Sequence, residues 1–394
     1  MSRRILLPWA DRCAAGAQAP LRLLTFSTLY PNPAQPHHGV FVENRLRHLV
    51  AGGEAASTVL APVPWFPFRY PGVLPFERRN GIEVHHPRYA APPGLGMYTA
   101  PAALLAAARR ALAPLLEAGL RFDAIDAHYL YPDGVAAIRL GCELGLPVVI
   151  TARGSDTSQL PRYAVPRRLI RDAIRRAAAL IAVSAGLREG LVALGAPPDK
   201  VTVLRNGVDL EAFGPPADWV PNATPSLLSV GHLIPRKGHD LVIRALALLP
   251  GHHLVVVGEG PQRGGLEALA HRLGVADRVR FTGPRPHAEL RHFYGAADIL
   301  VLASAREGWA NVLLEAMACG TPVVASPAWG NREAVSSPEA GLVLDETTPE
   351  TIAAAVRRLL AAPPSRAAVR AHAERFGWEE TTQGQLALFR QVLA

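Results

Sequence analysis

Short apolar runs alternate with amphipathic stretches along most of the chain. "LRLLTFS" (21–27) precedes "VFVENRLRHLVAGG", and "FDAIDAH" (122–128) precedes "GVAAIRLGCELG". "PVVIT" (147–151), "AALIAVS" (178–184) and "KVTVL" (200–204) continue the series. Runs of Val, Ile and Leu, each trailed by a helical stretch, predict a parallel sheet covered on both faces. Around residue 214 the pattern stops. "FGPPADWVPNATPS" holds four prolines and no periodicity, so 214–225 reads as a linker. The alternation then resumes with "SLLSVG" (226–231), "HHLVVVG" (252–258), "RVRFTG" (278–283), "ADILVLA" (297–303) and "PVVAS" (322–326), with helical stretches at 239–249, 262–273 and 311–319.

The expected architecture is therefore α/β, two doubly wound domains of Rossmann-like type. The first covers 1–213, with 1–20 a loose tail, and the second covers 226–376. A last helix near 378–392, within 377–394, follows "ERFGW" and is expected to pack back on the first domain. Facing sheets of this kind leave a cleft at their strand C-termini, where such folds bind ligands.

Composition supports this and narrows the setting. A chain of 394 residues exceeds one ordinary core. Cys13, Cys142 and Cys319 are odd in number and far apart, which predicts a reducing, cytoplasmic setting without a disulfide framework. No apolar run approaches the roughly 20 residues of a membrane span. In the opening segment Asp11 and Arg12 interrupt the short run "ILLPWA", which argues against a signal peptide. Residues 1–213 hold 24 Lys+Arg against 16 Asp+Glu, whereas 214–394 hold 17 of each, so the net +8 lies wholly in the first half. That asymmetry suits a phosphate-bearing ligand, an anionic membrane face or nucleic acid.

The loops after strands carry the candidate chemistry. Gly231 lets the chain leave its strand, His232 follows, and Arg236 and Lys237 precede a helix beginning near His239. Cations beside a helix start suit a diphosphate, because free N–H groups add to their field. "GEGPQRGG" has Gly258 and Gly260 but Arg263 in the third glycine's place, so it fails the dinucleotide fingerprint and weakens a nicotinamide dehydrogenase reading. In "EGWANVLLEAMACG" (307–320), Glu307 falls in a loop and Glu315 one turn into a helix expected to begin near Asn311, a good capping residue. Free N–H groups from about Trp309 to Val312 would lie between the two carboxylates. Such a pocket matches a sugar nucleotide, with diphosphate in the middle and hydroxyl-rich rings at both ends.

These motifs, taken in order, resemble the retaining glycosyltransferases of family 4, whose two-domain fold is called GT-B. The carriers are the E-x7-E pair Glu307/Glu315, "GHLIPRKG", "GEGP", "RVRFTG", "ILVLASAREG", "HYLYPDG", "TARGSD" and "AVSAGLREGL…VTVLRNGVD"; the first-half motifs resemble bacterial polysaccharide-type members. The resemblance implies that Lys237 and the backbone of Gly308, Trp309, Ala310, Asn311 and Val312 hold the donor diphosphate. It also implies that Glu315 takes the ribose, that Glu307 contacts the transferred sugar, and that Thr282 and Gly283 read the base. Gly39 lets the other domain approach the phosphates, and Gly258 and Glu259 complete the donor side. The family uses no metal, and the adjacent His-His pairs here have the wrong spacing for one. His232 stands where members usually have Arg, and Arg236 is placed to compensate. Arg153 stands where many have His near the reacting centre; with Glu307 and His128 it makes the candidate catalytic set. Arg153 cannot act as a base at neutral pH, so it is expected to neutralise a phosphate. Asp156 is expected either to orient Arg153 or contact the acceptor, or simply to cap a helix.

On the acceptor side, "VPWFPFRYPGVLPF" (63–76) carries Trp65, Phe66, Phe68, Tyr70 and Phe76. The stretch 161–178 carries six arginines and an apolar stripe of Leu169, Ile170, Ala173, Ile174 and Ala177. It reads as a solvated surface helix or as a contact with anionic lipid, which makes a lipid-linked saccharide acceptor and cell-surface polysaccharide or glycolipid synthesis reasonable. Competing readings are an epimerase or sugar-phosphate synthase on the same fold, and a non-catalytic saccharide-binding protein. A nucleic-acid-binding protein is disfavoured because no aromatic RNA-reading motif or helix-turn-helix signature is present.

Overall fold

The structure, a computed structural model, describes residues 19–65, 70, 72–218, 220 and 222–394. Most of the expected N-terminal tail, together with Phe66 and Phe68, lies outside the described residues.

The first sheet runs, edge to edge, through Val201–Val203, Ala179–Ala182, Val148–Ala152, Ala124–His128, Leu21–Phe26, Ala55–Leu60, Ile82–His85 and Phe76–Arg79. All neighbours are parallel except the last pair. The second runs Val279–Gly283, His253–Val257, Ser226–Val230, Ile299–Leu302, Val323–Ala325 and Gly341–Val343, parallel throughout. Every residue of Ala124–His128, Val148–Ala152 and Ile299–Leu302 is buried; Ile299–Leu302 reads as an unbroken apolar run, whereas the first two strands also bury Asp126, His128 and Thr151. In each sheet the order turns around at the domain's first strand, Leu21–Phe26 or Ser226–Val230. Loops leaving the strands on either side of that switch point diverge, one set to each face of the sheet, and open a crevice at the strand C-termini.

The antiparallel edge pair was not anticipated from the apolar pattern. Its turn is Asn80-Gly81, with φ of 48° and 79°, the two-residue hairpin that needs left-handed backbone at both positions. The helix Val40–Ala51 begins after Gly39, whose φ is 74°; a Cβ there would lie 2.3 Å from the carbonyl of Leu29. Glycine is thus required for the loop 28–39 to fold over the sheet and reach the crevice.

The helix Trp378–Leu393 packs on Val40–Ala51, and Leu386 and Phe389 join the cluster formed by Val42, Leu46 and Leu49. Full burial of each such side chain contributes about 1.5–3 kcal/mol, enough to hold the chain end on the first domain. The apolar stripe of the arginine-rich segment has a similar use. Ile170, Ala173, Ile174 and Ala177 are buried in the first domain's core, so the helix Ala164–Arg176 turns its arginine-bearing face outward, together with Val165 in its first turn. Among the described residues, no helix is long and apolar enough to cross a membrane.

Candidate active site in the interdomain cleft

A cleft of about 1430 Å³ lies between the two sheets, lined by residues from both domains. The second domain contributes Gly231, His232, Arg236 and Lys237 after Ser226–Val230, and Gly258 and Glu259 after His253–Val257. Glu307, Gly308, Trp309 and Ala310 come from the loop after Ile299–Leu302, and Asn311, Val312 and Glu315 from the helix Asn311–Ala318. The first domain brings Gly39 and Arg153.

Glu307 and Lys237 form an ion pair, Nζ to Oε1 at 2.6 Å, and Arg236 Nη1 lies 3.9 Å from the other carboxylate oxygen. Two cations therefore share one carboxylate at the rim of the cleft, leaving net positive charge. The N-terminus of the helix Asn311–Ala318 opens into the same space. Its first N–H groups have no intrahelical acceptor, which adds a positive field. Asn311 is the first helical residue rather than the cap; Ala310 holds the cap position and gives no side-chain bond. The Asn311 side chain instead accepts from Asn206 Nδ2 across the cleft at 3.3 Å.

Glu315 is nearly buried, with Oε1 accepting from His287 Nε2 at 2.9 Å and Oε2 from Tyr294 Oη at 2.7 Å. Thr282 and Gly283 do not line the cleft. They end the edge strand Val279–Gly283, and the Thr282 hydroxyl turns back to the Gly283 carbonyl. The chain bends at Gly283, so the residues facing the cleft are those just beyond, Pro284 and Arg285, followed by His287.

In the first domain, Arg153 sits on a buried polar network. Its Nη1 donates to Asn206 Oδ1 at 3.0 Å and its Nη2 to His128 Nδ1 at 2.6 Å, and the guanidinium stacks 5.1 Å from the Phe41 ring. His128 Nε2 in turn donates to Asp126 Oδ2 at 3.2 Å. Burial lowers the His128 pKa and Arg153 adds to the effect against the opposing pull of Asp126, so the ring is neutral. Behind it, Arg45 is fully buried and donates to Gln385 Oε1 at 2.9 Å and to the Leu204 carbonyl at 3.0 Å. Gln385, from the C-terminal helix, also donates to Asp126 Oδ2 at 3.2 Å. Arg45 and Arg153 thus lie together near two buried carboxylates, Asp126 and Asp156, and Arg153 is the one of the two guanidinium groups that lines the cleft.

Three first-domain expectations, those for His128, Asp156 and Trp65, are corrected here. His128 is 1% exposed and does not line the cleft; it lies beneath Arg153 and positions it instead of meeting substrate. Asp156 is fully buried, and its carboxylate accepts the backbone N–H groups of Leu130, Arg153 and Gly154. It staples the loop that presents Arg153, without touching the guanidinium or any acceptor space. On the same side, Trp65 is 63% exposed at the end of a small ribbon with Arg88–Ala90 and likewise does not line the cleft. Phe66 lies outside the described residues.

The two domains touch across the cleft. Trp309 Nε1 donates to the Asn206 carbonyl at 3.0 Å. Glu333 accepts from the Ala185 N–H at 2.8 Å, at the start of the helix Ala185–Ala193, and from Arg205 Nε at 2.9 Å. Sequence reasoning passed over Asn206, Arg45, His287, Tyr294 and Glu333. The run "RNGVD" containing Arg205 and Asn206 was visible as a motif, but nothing local in it reveals that Asn206 joins both guanidinium groups to the other domain. Among the described residues, no group of three or more His, Cys, Asp or Glu is placed to hold a metal ion.

With the geometry in place, comparison with known proteins adds identity. The family described as "Glycosyltransferase Family 4" matches residues 39–212, and that described as "Glycosyl transferases group 1" matches residues 219–376. The D-inositol 3-phosphate glycosyltransferase 1 of Catenulispora acidiphila is 30% identical, with 96% of this chain and 98% of that protein covered. A D-inositol 3-phosphate glycosyltransferase of Frankia alni is 36% identical over 69% of this chain and 75% of its own. Among solved structures, sucrose-phosphate synthase from Thermosynechococcus elongatus superposes with a TM-score of 0.80 at 23% identity, covering 94% of this chain and 98% of that one. The Anabaena protein Alr3699/HepE in complex with UDP superposes at 0.71 and 20%, covering 94% of this chain and all of the other. These likenesses establish the GT-B arrangement of the two domains.

Proposed function

The chain belongs to glycosyltransferase family 4, and from that premise we propose that it moves a hexosyl or N-acetylhexosaminyl group from a nucleotide-diphosphate sugar to an acceptor hydroxyl, with retention at the anomeric carbon. The observation that carries this is the placement of Lys237, Arg236 and a helix N-terminus around Glu307 at one cleft rim. Developing negative charge on a leaving diphosphate would meet fixed positive charge there, in a site from which the closing domains exclude water. The acceptor oxygen attacks the anomeric carbon on the face that the diphosphate leaves. The C–O bond to the phosphate breaks as the new one forms, and the leaving phosphate oxygen takes the hydroxyl proton. Glu307 orients Lys237 and contacts the transferred sugar; Glu315 binds the ribose hydroxyls.

For the acceptor, the Arg153 side chain, partly buried but lining the cleft with Arg45 behind it, favours an anion, and the names of the relatives point to a phosphorylated polyol. The test is to incubate the enzyme with UDP-, GDP- and ADP-sugars and either inositol 3-phosphate or inositol. Nucleoside diphosphate release is expected only with an acceptor, at least ~10-fold faster with the phosphorylated one, since a charge-assisted guanidinium–phosphate contact is worth about 1.5–3 kcal/mol. Acceptor-independent release, an epimerised sugar nucleotide, or an inverted glycoside would overturn this reading.

A second acceptor reading, a lipid-linked saccharide in cell-surface polysaccharide or glycolipid synthesis, draws on the outward face of Ala164–Arg176 and the turn before it. Arg162, Arg167, Arg168, Arg171, Arg175 and Arg176 are all exposed there. With the apolar stripe facing inward and, of the large apolar side chains, only Tyr163 and Val165 exposed at the helix start, membrane contact would be mainly electrostatic, worth about 1 kcal/mol per cation near an anionic surface and screened by salt. Sedimentation with anionic vesicles at low salt, but not with neutral vesicles or at high salt, is the expected outcome. Equal sedimentation with both vesicle types removes this reading.

A further inference from the structure

The nucleoside end of the cleft contains a contact that the donor-site reading does not use. Glu315 already has a protein donor on each oxygen. Tyr294 Oη reaches Oε2 from the domain interior, where the ring is fully buried and cannot withdraw. His287 reaches Oε1 from the cleft side, and its side chain is 31% exposed against 10% for Glu315. The imidazole therefore covers the carboxylate where a ligand must approach. His287 sits at the start of the short turn His287–Glu289, after Pro284 and Arg285, which line the cleft with it. The Phe213 ring meets His287 edge-on at 5.1 Å and Tyr294 at 6.0 Å, buttressing both. Of the two donors to Glu315, only His287 has room to move.

We propose that His287 is a latch on the ribose subsite: it holds Glu315 in the empty enzyme and must release it when the sugar nucleotide's vicinal diol binds, so that donor binding competes with protonation of His287. The proposal rests on the donor-site reading above and deepens it by assigning a residue and a pH dependence to nucleotide binding.

The charges around the imidazole favour this. Burial opposes its protonation. The hydrogen bond and charge of Glu315 outweigh that, Asp209 of the first domain assists, Arg47 of the helix Val40–Ala51 opposes, and the net effect lifts the His287 pKa above its ordinary value. Tyr294 faces the same carboxylate as a neutral phenol, and Arg285 and Glu289 flank His287 on its own segment, paired with each other at 3.9 Å. The sign follows by linkage. In the empty enzyme the imidazolium is stabilised by Glu315; once a diol takes the carboxylate that stabilisation is lost and the pKa falls. Binding then releases a proton over the window between the two values. Affinity is full above the raised pKa of the empty enzyme and declines as pH falls through it.

The probe is the UDP-, GDP- or ADP-sugar that binds best at about pH 8, the end of the range where the imidazolium fraction is lowest. A sugar nucleotide suits the purpose because its doubly substituted diphosphate does not titrate in this range. Binding is measured calorimetrically at about pH 6 and about pH 8, in two buffers of different ionisation enthalpy, for wild type, His287→Gln and His287→Ala. Wild type should bind several-fold more weakly at the lower pH, by no more than about tenfold per pH unit, the limit for one proton. It should also release up to one proton per site. Both variants should bind with less than about twofold change over the same range and without that proton release. His287→Gln keeps a donor without the charge, so its agreement with His287→Ala separates charge from packing. Equal pH dependence in wild type and variants, or none in any of them, overturns the latch alone. Failure of every sugar nucleotide to bind at the higher pH overturns the donor-site reading, and the latch with it.

Discussion

Lys237→Ala is expected to lower kcat/KM for the sugar nucleotide by about 10²–10³-fold, the usual cost of removing one preorganised group that meets charge developing in a transition state. The ammonium is the closest cation to Glu307, at 2.6 Å, whereas Arg236 stands off at 3.9 Å and donates to the Arg306 carbonyl instead. Arg236 therefore cannot move into the vacated position without giving up a backbone contact. Removing Lys237 has a second consequence, since Glu307 would keep its charge beside the diphosphate with only the distant guanidinium to offset it. Lys237→Arg should restore part of the loss, because charge is recovered but the compact geometry is not. The side chain is not in the core, so the thermal midpoint should move by only a few degrees, about what 1 kcal/mol produces in chains of this size. Steady-state rates near wild type in Lys237→Ala would remove Lys237 from the donor site.

Gly308→Ala should be nearly as damaging without touching any charge. Gly308 belongs to the second domain, yet a Cβ there would lie 2.3 Å from the carbonyl oxygen of Arg153 and 3.3 Å from the Gly154 Cα, both in the first domain. On its other side, Gly330 is packed so that a Cβ at that residue would meet the Gly308 carbonyl at 2.5 Å. The closed cleft thus depends on backbone-to-backbone contact between domains, with no flexible side chain to yield. A methyl group would hold the domains apart and shift Arg153 relative to Lys237. Misplacement by about 1 Å can cost ~10²-fold, and a loss of that size in kcat is the expected result. Each domain's own core is untouched, so the folded state should survive. Gly264→Ala is the matched control: in the helix Arg263–Arg272, a Cβ there meets nothing within 4 Å. It should keep wild-type kcat and stabilise the helix by up to about 1 kcal/mol. Wild-type turnover in Gly308→Ala would mean that the closed contact is not the reactive arrangement.

The chain's local pattern was sufficient for the strand–helix alternation and the loop-to-helix position of the two glutamates, because burial on both faces of a parallel strand writes apolar runs into the sequence. The Asn80-Gly81 hairpin was equally legible from its dipeptide but was passed over, because the flanking strand Phe76–Arg79 is half exposed and shows no apolar run. The candidate site divides along the same physical line. Residues whose role follows from lying just after a strand, such as Lys237, Glu307 and Gly258, were found from sequence and line the cleft. Residues whose role depends on a distant partner were misplaced or missed.

By itself, then, the sequence determined two doubly wound sheets and the loops that could carry phosphate chemistry, since both are set by neighbours a few residues away. Only the tertiary structure decided that His128 lies beneath Arg153, that Asp156 staples backbone, that Asn206 bridges the domains and that His287 covers Glu315. Those outcomes depend on which side chains meet after segments as far apart as Arg45 and Gln385 have packed together, and on the desolvation that packing imposes. A charge or imidazole read in isolation reveals neither its depth nor its partner, and the same residue type serves catalysis at the rim of a cleft and support a few ångströms below it.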